Sequence, residues 1–193
     1  MSITLDGSNG ITTPMYNGTV SANQVTPSVN MKNRIINGAM VIDQRNAGAS
    51  VTPTNGQFSV DRWLCGLTQA SKFSVQQSST APSGFRNSLI ATTTTTDSSP
   101  ASSSAYTFRQ RIEGFNTADL MWGTSTAQTV TLSFWVRSSL TGTFGGALSN
   151  SAENRNYPFS YTISSANTWT QISLTIAGDT TGTWLTTNGA GIT

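Results

Sequence analysis

The most regular pattern along the chain is the alternation in VTLSFWVRS, where Val130, Leu132, Phe134 and Val136 are separated by Thr131, Ser133, Trp135 and Arg137. A period of two puts the first set on one face of a strand and the second on the other. The apolar set is therefore predicted to face one core. The segment TQISLTI, residues 170–176, alternates in the same way. Shorter apolar runs bounded by Gly, Asn, Ser or Pro predict further strands at 58–64, 72–77, 88–95, 106–112, 143–149, 158–163 and 169–176. Ile35, Ile36, Met40, Val41 and Ile42 form another apolar segment, broken at Asn37-Gly38, a pair that favours a turn or bulge. With FSVDRW (58–63), it reads as the first strands of the fold.

Helical signals are sparse. One short helix is predicted at 118–122, capped by Asn116 or Thr117 and closed by Gly123. The threonine-rich run ATTTTTDSSPASSS, 91–104, can continue a strand at its start and reads as a loop from Asp97 to Ser104. Many short strands with regular turn signals predict an all-β protein, specifically an antiparallel β-sandwich or barrel.

Residues 1–31 depart from this pattern. They carry one charge, two prolines and three glycines, with no helical period. Such a segment cannot bury enough apolar surface to fold alone, so its order is expected to come from a neighbouring chain. The predicted organisation is an extended N-terminal arm, 1–31, that docks to a particle or partner, followed by one β-sandwich domain, 32–193. Ile3, Leu5, Ile11 and Pro14 are the candidate docking residues of the arm.

Composition narrows the partners. The 193 residues are 36% hydrophobic and 9% charged, with ten Lys and Arg against eight Asp and Glu. The cations are dispersed and no run of five or more occurs, which argues against nucleic acid or an anionic membrane as the main partner. No apolar run approaches the roughly 20 residues that cross a bilayer, so no membrane insertion is expected. The opening MSITLDGSNG has neither a basic nor an apolar signal region. Synthesis in the cytoplasm as a soluble protein is the expectation. Cys65 is the single cysteine and reads as a small buried apolar residue.

The absence of histidine removes the Ser-His-Asp triad, the Cys-His pair and histidine-ligated zinc. No P-loop or GxGxxG motif is present, and no cofactor or metal is expected. Hydrolysis of a glycoside needs only two carboxylates, which Asp43, Asp61, Glu113 and Asp119 could supply. Each of the first three has a cation close by in sequence, so ion pairing or turn hydrogen bonds are the simpler reading. Asp43, Arg45, Asp61 and Arg62 are accordingly assigned to structural ion pairs or turns, and the chain is expected not to be an enzyme. Five tryptophans are many for so polar a chain, and sugar rings stack on aromatic planes. Tyr157, Tyr161, Trp184 and Trp135 are the candidate ligand-binding residues.

The blocks NRIINGAMVIDQRNAGASV, FSVDRW, KFSVQQ, FRQRIEGFNTADLMWGT, TVTLSFWVRSSLTGTF and YPFSYTISSANTWTQISLTIAGDTTGTW follow one another from Asn33 to Trp184. In that order and spacing the chain resembles the C-terminal domain of bacteriophage tail-fibre and related virion-appendage proteins. ITLDGSNGITTP is similar to their leading segments. The resemblance implies a jelly roll like that of carbohydrate-binding modules, whose first strand often reads NLIxNGDFE, with Asn37-Gly38 at the Asn-Gly. It also implies a virion location, other phage structural proteins as partners, a homo-trimer, and attachment to host-surface polysaccharide. Relatives continue past the equivalent of TTNGAGIT to a closing strand, so a truncated chain, or strands supplied by another subunit, is the expectation here. A structural adaptor or decoration protein without receptor binding is the alternative reading, and a depolymerase-type glycosidase fragment the third.

Overall fold

A computed structural model describes the backbone of residues 4–6 and 10–12, and residues 32–193 in full. The chain divides into two compact units, Met1–Arg34 and Ile35–Thr193. In the first, β1 (Thr4–Asp6) pairs antiparallel with β2 (Gly10–Thr12), placing Leu5 opposite Ile11. Of the candidate docking residues, Ile3 and Pro14 lie outside the described residues.

The second unit is built from strands. They are β3 (Leu64–Leu67), β4 (Phe73–Ser78), β5 (Ser88–Thr93), β6 (Tyr106–Arg109), β7 (Ile112–Glu113), β8 (Val130–Val136), β9 (Gly142–Ser149), β10 (Asn156–Ile163), β11 (Thr170–Ile176) and β12 (Ala190–Ile192). The only helical pieces among the described residues are 3-10 turns at Gly114–Asn116 and Ala118–Leu120. The fold is all-β. Every pairing is antiparallel, in two-stranded ladders: β3 with β6, β4 with β5, β7 with β12, β8 with β11 and β9 with β10.

The period-two segments fold as their pattern dictates. β8 and β11 pair along their whole length, from Thr170 opposite Val136 to Ile176 opposite Val130. Val130, Leu132, Phe134 and Val136 share one face with Ile172, Leu174 and Ile176, and the intervening residues of both strands are exposed. That face meets β9 and β10 through aromatic rings. Phe134 lies 5.2 Å from Tyr161 and 6.4 Å from Phe159 between ring centroids. Gly146 makes room for this packing, because a Cβ there would sit 2.5 Å from the Phe159 ring. A second apolar cluster joins Cys65, Leu67, Phe73 and Val75, with the Phe73 ring edge-on to Tyr106 and Phe108. Leu120, Trp122 and Ile192 form a third.

Three local expectations are corrected. Residues 35–42 do not form a strand: the chain turns at 36–39, as the Asn37-Gly38 pair favours, and the Asn37 amide supplies the partners that a neighbouring strand would have offered. Its Nδ2 donates to the carbonyls of Ile42 and Asp61, and its Oδ1 accepts from the Ile42 amide. Residues 58–63 also turn, bridging at Phe58 opposite Leu64, so the strand begins only at Leu64. The predicted helix at 118–122 is a 3-10 turn of three residues. Thr117 sits at its N-cap without a side-chain cap, and Met121, not Gly123, takes the left-handed closing position at φ 54°. Strand β12 has no counterpart among the expected elements.

Candidate functional site

An open cleft of about 640 Å³ lies among the described residues. Its walls are the loop before β3, the β6–β7 segment, the turn after β9 and the approach to β12. Phe58, Arg62, Arg109, Arg111, Glu113 and Glu153 bring its aromatic and charged side chains. In a chain so poor in charge, this concentration of ionic groups sets the cleft apart.

The β6–β7 wall follows from a short alternation, Arg109-Gln110-Arg111-Ile112-Glu113. Arg109, Arg111 and Glu113 all line the cleft. Gln110 turns the other way and is buried, clamping Ile36 by accepting from its amide at 2.8 Å and donating to its carbonyl at 2.7 Å. The loop wall is anchored by Val60, only 1% exposed, with a tight turn in which the Trp63 amide donates to the Val60 carbonyl. Arg62 follows with φ 75°, a left-handed backbone unusual for a side chain of this size and a conformation that clusters at functional sites.

Two ion pairs stitch the walls together. Arg62 Nη2 donates to Glu113 Oε1 at 2.6 Å and to the Arg111 carbonyl at 3.3 Å. The Arg62 guanidinium, with help from the Asn116 amide, holds the Glu113 carboxyl below its ordinary range. Arg109 Nη1 donates to Glu153 Oε1 at 3.0 Å. Glu153 is presented by a turn organised around the buried Asn150 side chain. Asn150 donates to Asn154 Oδ1 and the Thr183 carbonyl and accepts from the amides of Asn154 and Arg155. The fourth wall depends on Gly114, whose amide donates to the Gly189 carbonyl at 2.8 Å. A Cβ at Gly114 would stand 2.5 Å from the carbonyl oxygens of Leu185 and Thr187.

The donors are not all used. Arg111 is exposed and its guanidinium has no hydrogen bond or ion pair among the described residues. Arg109 Nε is buried without an acceptor, which leaves the outer nitrogens of that side chain as its working end. Three guanidinium groups face two carboxylates across the cleft, so it presents more donors than it satisfies.

The four residues assigned from sequence to ion pairs or turns are engaged in such contacts. Asp43 accepts from the amides of Asn46 and Gly48 and closes a turn. Asp61 accepts from the Gln44 amide and lies 4.0 Å from Arg45, whose guanidinium sits 5.3 Å over the Phe58 ring. The pairings thus cross between sequence neighbours: Arg45 goes to Asp61, and Arg62 goes to Glu113. Asp61 and Glu113, two of the acids that a glycosidase pair could draw on, are each engaged by a different arginine.

The four aromatic candidates do not form one platform. Tyr161 stacks on Phe144 at 6.0 Å and is half-buried, which raises its phenol above the ordinary range. Tyr157 stands on the same face of β10 at its exposed end, and Trp135 lies on the opposite face of β8 from Phe134. Trp184 packs edge-on against Trp122 at 4.7 Å and donates to Asp179 at 3.0 Å. The cavity beside these two rings measures about 10 Å³, room for a water molecule and not for a sugar ring. Asp179 is also gripped by Arg155, which drives its carboxyl far below the usual carboxylate range.

Sequence reasoning missed Arg109, Arg111 and Glu153 as site residues. The alternation in RQRIE was the available signal for the first two, while Glu153 reaches the cleft only through the turn built on Asn150. Cys65 is fully buried, and burial pushes its thiol up, so it contributes no nucleophile. No three metal-ligating side chains are grouped among the described residues, and no described helix is long and apolar enough to cross a membrane. No protein-family model matches the chain, and comparison with curated proteins and with solved structures finds no significant match.

Proposed function

We propose that this chain is a non-enzymatic virion protein of a bacteriophage, a tail fibre or appendage that attaches to glycan on the host surface. One observation carries the reading: an open cleft of about 640 Å³ with unused guanidinium donors beside the half-open Phe58 ring. Saccharides are recognised by this combination of planar polar side chains and an aromatic face. The ordered blocks from Asn33 to Trp184 support the same assignment. In this reading the ladders belong to a jelly roll, three copies assemble, and residues 1–31 join the domain to other phage structural proteins.

The test is competition. Purified protein is added to host cells before phage, and adsorption is counted. Attachment expects dose-dependent loss of adsorption, and undiminished adsorption at saturating protein contradicts it.

A structural adaptor is the second reading. It is favoured by the exposed apolar side chains of Ile36, Val41 and Ile42, gathered on one loop. Exposed apolar side chains close together in sequence are candidates for burial in an assembly. An adaptor is required for particle assembly and does not compete for adsorption.

A further inference from the structure

If the cleft is a glycan site, its unsatisfied donors also define which glycan. We propose that it selects saccharides carrying negative charge, and that Arg111 is the residue that anchors the anionic group. This rests on the attachment reading above and adds the chemical class of the ligand.

The cleft's own ion pairs make the case. Arg62 and Arg109 are each committed to a glutamate, at 2.6 and 3.0 Å. Those pairs fix the walls and cancel their own charge. Arg111 lies between Arg109 and Glu113 in sequence, lines the same cleft, is exposed, and has no side-chain partner among the described residues. A guanidinium presents a planar fork that pairs with two oxygens of one anionic group at once. A neutral sugar hydroxyl uses only one arm of that fork. With Glu113 and Glu153 neutralised by Arg62 and Arg109, Arg111 carries the net charge of the cleft lining. The combination favours an anion at one place over diffuse attraction along the cleft.

The charged group can be the carboxylate of a uronic acid or the phosphodiester of a phosphate-linked glycan, which share the paired anionic oxygens. Titration calorimetry of the full chain distinguishes them, using three probes: an oligouronate, a glycerol-phosphate oligomer and a neutral oligoglucoside of equal length. Variants Arg111→Ala, Arg111→Lys and Arg86→Ala are measured in parallel, with thermal melts to show that each is folded. Arg86 is an exposed arginine outside the cleft, so its variant controls for loss of one charge.

The expected result is that at least one anionic oligomer binds and the neutral one binds at least about tenfold more weakly. Arg111→Ala should lose about tenfold or more, Arg111→Lys should keep part of the affinity, and Arg86→Ala should match the parent. Equal binding of neutral and anionic oligomers, or full affinity in Arg111→Ala, overturns the charge inference while leaving glycan attachment standing. No binding by any probe, in a protein that still blocks adsorption, likewise overturns it and not attachment. No binding together with no competition removes both.

Discussion

Arg62 and Glu113, far apart in sequence, meet through Nη2 and Oε1 at 2.6 Å across the mouth of the cleft. The contact joins a loop to a strand of two residues, neither of which has much regular structure of its own to hold it. Both side chains remain more than a third exposed, at 37% and 39%, so water screens the pair and its worth is modest. A double-mutant cycle with Arg62→Ala and Glu113→Gln is expected to give a coupling of about 0.5–1 kcal/mol in urea denaturation.

The left-handed backbone of Arg62 adds a separate term. Alanine at φ 75° keeps the strain, whereas glycine releases it. Arg62→Gly is therefore expected to be more stable than Arg62→Ala by about 0.5–1 kcal/mol, although it removes the same side chain. The reverse order in denaturant melts would show that the backbone is not held in this conformation.

Acid should weaken the fold through two carboxylates. Arg62 lowers the Glu113 carboxyl, and Arg155 lowers that of Asp179, with the Thr181 amide and the Trp184 ring N–H assisting. A group whose folded value is depressed contributes stability that is complete above its unfolded value. That contribution is lost as the pH falls through the folded value. Melting temperature is thus expected to decline as pH drops from about 5 towards 2, and Asp179→Asn should flatten that slope while lowering the melt near neutrality. An unchanged slope in Asp179→Asn would remove this pair as the source.

Gly114→Ala probes the wall next to β12. The new methyl group meets two backbone carbonyls, which cannot rotate aside as a side chain would. Destabilisation of about 1–3 kcal/mol is expected, as for other overpacked sites. Hydrogen exchange should rise first at Gly114 and Ile192, whose amides belong to the β7–β12 junction. Wild-type exchange there would mean the close approach is absent.

How much of this was legible in the sequence depends on the range of the interaction. Strands β8 and β11 were readable because alternation over seven residues is a local property of the chain. Ile35 to Ile42 misled because five apolar residues suggest a strand, while the deciding group was one amide, Asn37, acting on its own loop. The same region shows why the ion pairs were assigned to neighbours. Asp61 and Arg62 are adjacent, but consecutive residues point apart and each found a partner elsewhere. Strand β12 has only three residues and exists through β7, so no local pattern marks it. The cleft combines both cases: RQRIE lay in view, whereas the Asn150 turn and the β12 approach required the fold.

Removing residues 1–31 tests the separation of the two units. The second unit carries all three apolar clusters, so the truncated chain is expected to melt within about 2 °C of the parent. It should also fail to enter particles if the first segment is the docking arm. Normal incorporation of the truncated protein would refute that role.

The most direct measurement is an amide chemical-shift map of the protein titrated with host-surface polysaccharide fragments. Ligand in the cleft should move the signals of Arg111, Glu113, Asn188 and Gly189 most, with smaller changes on the loop at Gly56 and Phe58. Shifts confined to Tyr157, Trp135 or the Ile36–Ile42 loop, or no shifts at saturating fragment, would contradict the assignment of this cleft as the attachment site.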